Sequence, residues 1–219
     1  MKIEGLVRSI STKNFSPSLL QSALRCGFEI YANQYDYNLL MLDDYMQSET
    51  KLKSKMEYKH VFSAPLAGGL LTSSFIGKRD IRQLSSSETK LFDSYCLLGV
   101  DREEKWAHYR AVIDTLSDIS FKHNVSIESV ALRSLLQLNT NHMIFVGTKL
   151  GMDLAEKRGG LPYNRYRDLR QVFGFSLDDK EIEMLYQDTQ HMIDTPRYSS
   201  LTTNQSGDFI DFNDQSLWL

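Results

Sequence analysis

Short apolar runs alternate with longer amphipathic stretches along this chain, the runs falling at residues 6–11, 29–34, 60–64 and 143–146. Parallel strands need crossovers of a dozen or more residues, and a helix is the usual one. The rhythm therefore specifies an α/β chain of four parallel strands with helices outside the sheet. Composition, at 42% hydrophobic and 24% charged, excludes a disordered, collagen-like or coiled-coil chain.

Capping signals place the first helices. Behind the first run, Asn14-Phe15-Ser16-Pro17 supplies an N-cap at Ser16 and a proline at the first helical position. Leu19, Leu20, Ala23 and Leu24 then form one face, and Gly27 ends the helix. Residues 39–56 are expected to form the second helix. The third run leads into Pro65-Leu66-Ala67-Gly68-Gly69-Leu70-Leu71, a Gly-rich turn at the carboxyl end of a strand. Ligands of open sheets and barrels bind at that end.

Residues 76–102 are polar and irregular and read as a long loop or insertion. A strong helix follows over 103–124, with Trp106, Tyr109, Val112 and Leu116 at the spacing of a buried face. Ser126 caps another helix ending near Leu138, the fourth strand turns at Gly147-Thr148-Lys149 into a further helix, and Ser176 is expected to cap the last one. Residues 1–193 thus form one domain, and 194–219 a polar, mobile tail.

With 25 basic against 28 acidic side chains, the chain has no overall positive field for nucleic acid or an anionic membrane. Its cysteines are Cys26 and Cys96, with no C-x-x-C spacing for zinc or redox chemistry, which points to a reducing compartment. Met1 to Arg8 contains no signal-like apolar run, and no segment approaches the roughly 20 apolar residues of a membrane span, so the expectation is a cytoplasmic protein. His60, His108, His123, His142 and His191 have no metal-ligand spacing, so no metal site is expected.

Four segments, taken in order, resemble the carboxyl-terminal half of an aldo-keto reductase. They are Val7-Arg8-Ser9-Ile10-Ser11-Thr12-Lys13-Asn14-Phe15-Ser16, Ala32-Asn33-Gln34-Tyr35-Asp36-Tyr37-Asn38-Leu39-Leu40, Ala64-Pro65-Leu66-Ala67-Gly68-Gly69-Leu70-Leu71 and Ile144-Phe145-Val146-Gly147-Thr148. The family fold is an eight-stranded (β/α) barrel, so the resemblance implies a partial barrel: strands five to eight of a TIM barrel with their outer helices. It also implies a site for NAD or NADP. Asn14 and Gln34 stand where the family hydrogen-bonds the nicotinamide carboxamide, and an amide side chain suits that task because it offers both a donor and an acceptor. Leu66, Gly68 and Gly69 would follow the pyrophosphate. Gly147, Thr148 and Lys149 would meet the adenosine end, with Lys149 as a point charge.

Several positions depart from the family pattern. Lys13 replaces a serine, and Ser63 replaces the aromatic that stacks on the nicotinamide. Asp153 stands where an arginine or glutamine is usual, and Lys157 where an asparagine is. A carboxylate there repels a 2′-phosphate and accepts a bond from a 2′-hydroxyl, which tilts the choice to NAD. Read without the resemblance, Asn14 has the commoner role of a turn residue making its own backbone bonds, and Gly68-Gly69 that of a tight turn.

The family's catalytic aspartate, tyrosine, lysine and histidine lie on strands that the resemblance does not cover, so no catalytic residue is assigned. His60 with Lys59 is the nearest surrogate acid group. Three readings stay open: an NAD(P)-linked oxidoreductase half that is inactive alone, a non-catalytic nucleotide-sensing or partner-binding scaffold, and a truncated product of a full-length carbonyl reductase. A four-stranded arc leaves two edges unpaired, so a homodimer or a partner chain that closes the barrel is expected.

Overall fold

In the computed structural model, which describes residues 2, 4–41, 58–96, 101–138, 142–146 and 169–192, Ser16 and Pro17 start a helix as their chemistry dictates. The Ser16 hydroxyl accepts from the Leu19 N–H, and α1 (Pro17–Arg25) follows. Gly27, at φ 83°, supplies the left-handed residue that turns the chain back. The flanking strands β1 (Ile10–Lys13) and β2 (Ile30–Asp36) pair in parallel. With β3 (Lys59–Ser63) and β4 (His142–Phe145) they form one parallel four-stranded sheet in chain order. The parallel four-stranded sheet is the one expected.

Register assigns the two faces. Asn33 pairs with His60 and Tyr35 with Phe62, and these side chains are all buried. Tyr35, Tyr37, Met41, Phe62 and Leu135 pack into one cluster between the sheet and the helix α4 (Ile127–Gln137). The alternate rows run through Gln34, Val61 and Met143 and through Asp36, Ser63 and Phe145. That face is open: Met143 is 40% exposed and Phe145 62%.

The main core lies around α3 (Arg102–His123), started by the Asp101 carboxylate and ended by Asn124 at φ 53°. Trp106, Tyr109, Val112 and Leu116 all face inward, as their spacing predicts. Against α3 packs α5 (Asp179–Thr189).

Four expectations need correction. The described part of residues 76–102 is not a long irregular loop: a turn of 3₁₀ helix at Ile81–Gln83 precedes α2 (Ser86–Cys96), whose Phe92 and Cys96 join the main core, and residues 97–100 lie outside the described residues. The first strand begins at Ile10 rather than at residue 6, and Leu6 is 70% exposed. Ser176 does not cap the last helix. Asp178 does, through a reciprocal box in which its carboxylate accepts from the Glu181 N–H at 2.9 Å and the Glu181 carboxylate accepts from the Asp178 N–H at 2.8 Å. The Ser176 hydroxyl instead accepts from Arg133 at 3.0 Å. Finally, the chain after β2 enters a single 3₁₀ turn, Leu39–Met41. The rest of the expected 39–56 helix, the helix after Lys149 and the 194–219 tail lie outside the described residues. Among the described residues no helix is long and apolar enough to cross a membrane.

Candidate functional site

At the carboxyl end of β1 the chain turns at Asn14, which has φ 56° and donates its N–H to the Gln34 carbonyl at 2.7 Å. Asparagine is among the few residues with a side chain that tolerate the left-handed region, so this turn needs no glycine. Behind it, Asn33 is 2% exposed. Its Nδ2 donates to the Phe15 carbonyl at 3.0 Å, and its Oδ1 accepts from the Phe15 N–H at 3.3 Å and from the Thr12 hydroxyl at 2.9 Å. Both faces of β2 thus serve one corner, with Asn33 holding the β1–α1 loop from the helix side and Gln34 half-buried on the open side.

At the end of β3 the Ser63 hydroxyl donates to Asp36 Oδ1 at 2.7 Å, and the Ser63 carbonyl accepts the Tyr37 N–H at 3.0 Å. Beyond it the chain adopts left-handed values at Ala64 (φ 52°), Ala67 (φ 49°), Gly68 (φ 65°) and Gly69 (φ 118°). For the two alanines this costs about 1–2 kcal/mol each, so the loop must be held by its surroundings. Tyr109 donates to the Leu70 carbonyl at 2.6 Å, Arg110 to the Phe75 carbonyl at 2.7 Å, and the buried Glu128 carboxylate accepts from the Ser73 N–H at 3.0 Å and its hydroxyl at 3.2 Å. Burial pushes the Tyr109 phenol well above its ordinary range, which keeps it a neutral donor. The loop is fixed from three helical positions before any ligand arrives.

The structure therefore brings Asn14, Gln34 and Ser63 to neighbouring strand ends, with Leu66, Gly68 and Gly69 in the loop that follows. Leu66 is buried, and its carbonyl accepts the Gly69 N–H at 2.9 Å and the Leu71 N–H at 3.2 Å. The Gly69 amide is thus committed to the turn, whereas Gly68 is exposed. Gly147, Thr148, Lys149, Asp153 and Lys157 lie outside the described residues.

His60 does not face the open side. Its Nδ1 meets the Tyr35 hydroxyl at 2.9 Å on the helix-covered side, so it is no surrogate acid there. The neighbouring Lys59 ammonium sits 5.0 Å from the centre of the Tyr31 ring.

Asn33, Asp36 and the two left-handed alanines escape a reading of motifs. Asn33 and Asp36 leave a signal, since asparagine and aspartate are both depleted within strands.

The model of the aldo/keto reductase family matches residues 1–185, and the chain belongs to that family. Flagellar radial spoke protein 5 of Chlamydomonas reinhardtii is 26% identical over 127 residues, 58% of this chain and 24% of that protein. Among solved structures, the glycerol dehydrogenase of Gluconobacter oxydans is similar at a TM-score of 0.60 and 18% identity, over 89% of this chain and 52% of its own. The aldose reductase of Schistosoma japonicum gives 0.55 and 17% over 96% and 51%, and Gox0644, solved in complex with NADPH, gives 0.54 and 16% over 93% and 54%. The chain spans about half the length of these structures and about a quarter of the radial spoke protein. Such likenesses define the fold, half of a (β/α) barrel.

Proposed function

We propose that this chain provides the nicotinamide dinucleotide half of an aldo-keto reductase-type oxidoreductase. The observation that carries the reading is the Asn14–Gln34 corner: two amide side chains at adjacent strand ends, tied by the 2.7 Å bond from the Asn14 N–H to the Gln34 carbonyl. They open beside a loop that is already clamped. The residues suit the cofactor, since two amides offer donors and acceptors to a carboxamide.

Bound dinucleotide would supply a hydride. The chain's own part is to orient the nicotinamide through Asn14 and Gln34 and to line the pyrophosphate along residues 66–69. Reduction of a carbonyl also needs a proton donor, which the family resemblance assigns to the other barrel half. That half would come from a further segment or from a partner chain paired with the edges of the sheet.

The likeness to a radial spoke protein, whose name denotes an architectural component, favours a second reading, in which the same scaffold binds a nucleotide or a partner without turnover.

Titration of NADH and NADPH into the 219-residue chain tests the first reading, with aldehyde turnover measured in parallel. Saturable binding weakened about tenfold by Gln34→Ala, the value of roughly one hydrogen bond, and no turnover above background are expected. A folded chain that binds neither dinucleotide would leave the scaffold reading. Turnover lost in Gln34→Ala would show that no second half is needed.

A further inference from the structure

We infer that Asn33 is a positioning residue for the nicotinamide end of the cofactor, acting through the backbone of the loop that carries Asn14; the inference rests on the dinucleotide reading above. Three observations support it. Asn33 spends both ends of its amide on the backbone of a single residue, donating to the Phe15 carbonyl at 3.0 Å and accepting from the Phe15 N–H at 3.3 Å. This two-point grip mimics a strand pairing at the place where β1 has ended and its ladder no longer holds the chain.

The second observation is the lock on the amide itself. Thr12, in register with Asn33 on the neighbouring strand, donates its hydroxyl to Asn33 Oδ1 at 2.9 Å. A flipped amide would set its own N–H groups against the Phe15 N–H and its oxygen against the Phe15 carbonyl, losing both of those bonds, so the amide has one orientation. The third is the residue between. Asn14 lies at φ 56°, a conformation that costs an L-residue energy, and Phe15 is the residue that follows it. Its own N–H on the Gln34 carbonyl fixes one side of the turn, and Asn33 fixes the other.

The geometry explains why this position is an asparagine. An aspartate matches the shape but cannot donate to the Phe15 carbonyl, and it would face that oxygen with negative charge. A glutamine adds a methylene to a site that is 2% exposed. Released from the grip, the Asn14 side chain samples a wider volume, and the entropy of fixing it is charged to cofactor binding.

The test separates the nicotinamide from the rest of the ligand. NADH and ADP-ribose, and in parallel NADPH and ADP-ribose 2′-phosphate, are titrated by calorimetry into the wild-type chain, Asn33→Asp and Thr12→Val. The ratio of each pair of affinities isolates the nicotinamide contribution. In wild type the dinucleotide should bind about tenfold more tightly than its fragment. In both variants that ratio should fall towards one, while fragment affinity stays within a factor of two. Hydrogen exchange at the Phe15 amide should accelerate in Asn33→Asp, with exchange in the α3 core unchanged as the sign that the fold persists.

An undiminished ratio in both variants, together with faster Phe15 exchange, overturns the positioning role and leaves the dinucleotide reading standing. A wild-type ratio of one overturns both, because no carboxamide is then recognised. Equal losses for dinucleotide and fragment would make Asn33 a residue of general stability, which also overturns the inference.

Discussion

The Tyr109 hydroxyl donates to the Leu70 carbonyl at 2.6 Å, with both residues fully buried. A helix of the outer layer thereby holds the Gly-rich loop by its backbone, where no side chain of the loop is consumed. Tyr109→Phe keeps the ring and its packing against Phe92 and Trp106 but leaves that carbonyl without the phenol proton. The expected cost is about 1–2 kcal/mol, read as a lower urea midpoint with an unchanged slope. Exchange protection of the loop amides should fall more than that of α3.

Gly68→Ala probes the same loop from its exposed side. At φ 65° an alanine costs about 1 kcal/mol, and its methyl would lie 2.7 Å from Leu91 Cδ1. Leu91 is the flexible end of a side chain on α2, so the clash is relieved by Leu91→Ala while the backbone cost remains. Chemical denaturation of the two single variants and the double should give a positive coupling. Strict additivity would mean that α2 does not cover the glycine.

Acid should weaken the junction of α3 with α5. Burial pushes the Glu181 carboxyl up, but Lys122, the Asp178 N–H and His123 outweigh it and hold the group below the ordinary glutamate range. The contacts are 2.8 Å to the Lys122 ammonium and 2.7 Å to the His123 ring. A lowered native pKa stabilises the fold fully above the unfolded value of about 4.3, and that contribution is lost as pH falls through the native value. Urea midpoints measured from pH 6 to pH 3 should fall more steeply for the wild type than for Glu181→Gln. Parallel curves would show that the cluster contributes nothing to folding.

Cofactor choice is expected to follow Asp153. If its carboxylate meets the adenosine ribose, NADH binds at least as tightly as NADPH, and Asp153→Arg reverses the order through attraction of the 2′-phosphate. Calorimetric titration of both cofactors into both proteins decides it. A wild-type preference for NADPH that survives the substitution would move Asp153 away from the ribose.

What a single sequence exposes here is whatever is periodic or local. The Ser16 and Ser126 caps and the buried stripe through Trp106 and Leu116 are local chemistry, and they stand where expected. The first strand shifted because it lies at the sheet edge, where Leu6 and Ile10 are exposed and apolar character no longer marks burial. The last helix starts two residues later than the Ser176 cap implied, because Asp178 finds a reciprocal partner three residues on, Glu181. α2 was hidden because only Phe92 and Cys96 of its face are fully buried. Asn14 and Gln34, which the family resemblance singles out, stand at neighbouring strand ends. Asn33 and the strained alanines depend on contacts across strands and on backbone angles, which no spacing encodes.

The order of the sheet also bears on how the protein is made. β2 pairs with β1 and β3 with β2, each with the strand synthesised just before it, so this part can assemble as the chain emerges. The partner of β3 on its other side, β4, comes only after α2, α3 and α4 have been translated. At ordinary elongation rates the far edge of β3 waits for a matter of seconds. That interval is when a nascent chain is most open to wrong pairing, and it is where a ribosome-bound chaperone would have most effect.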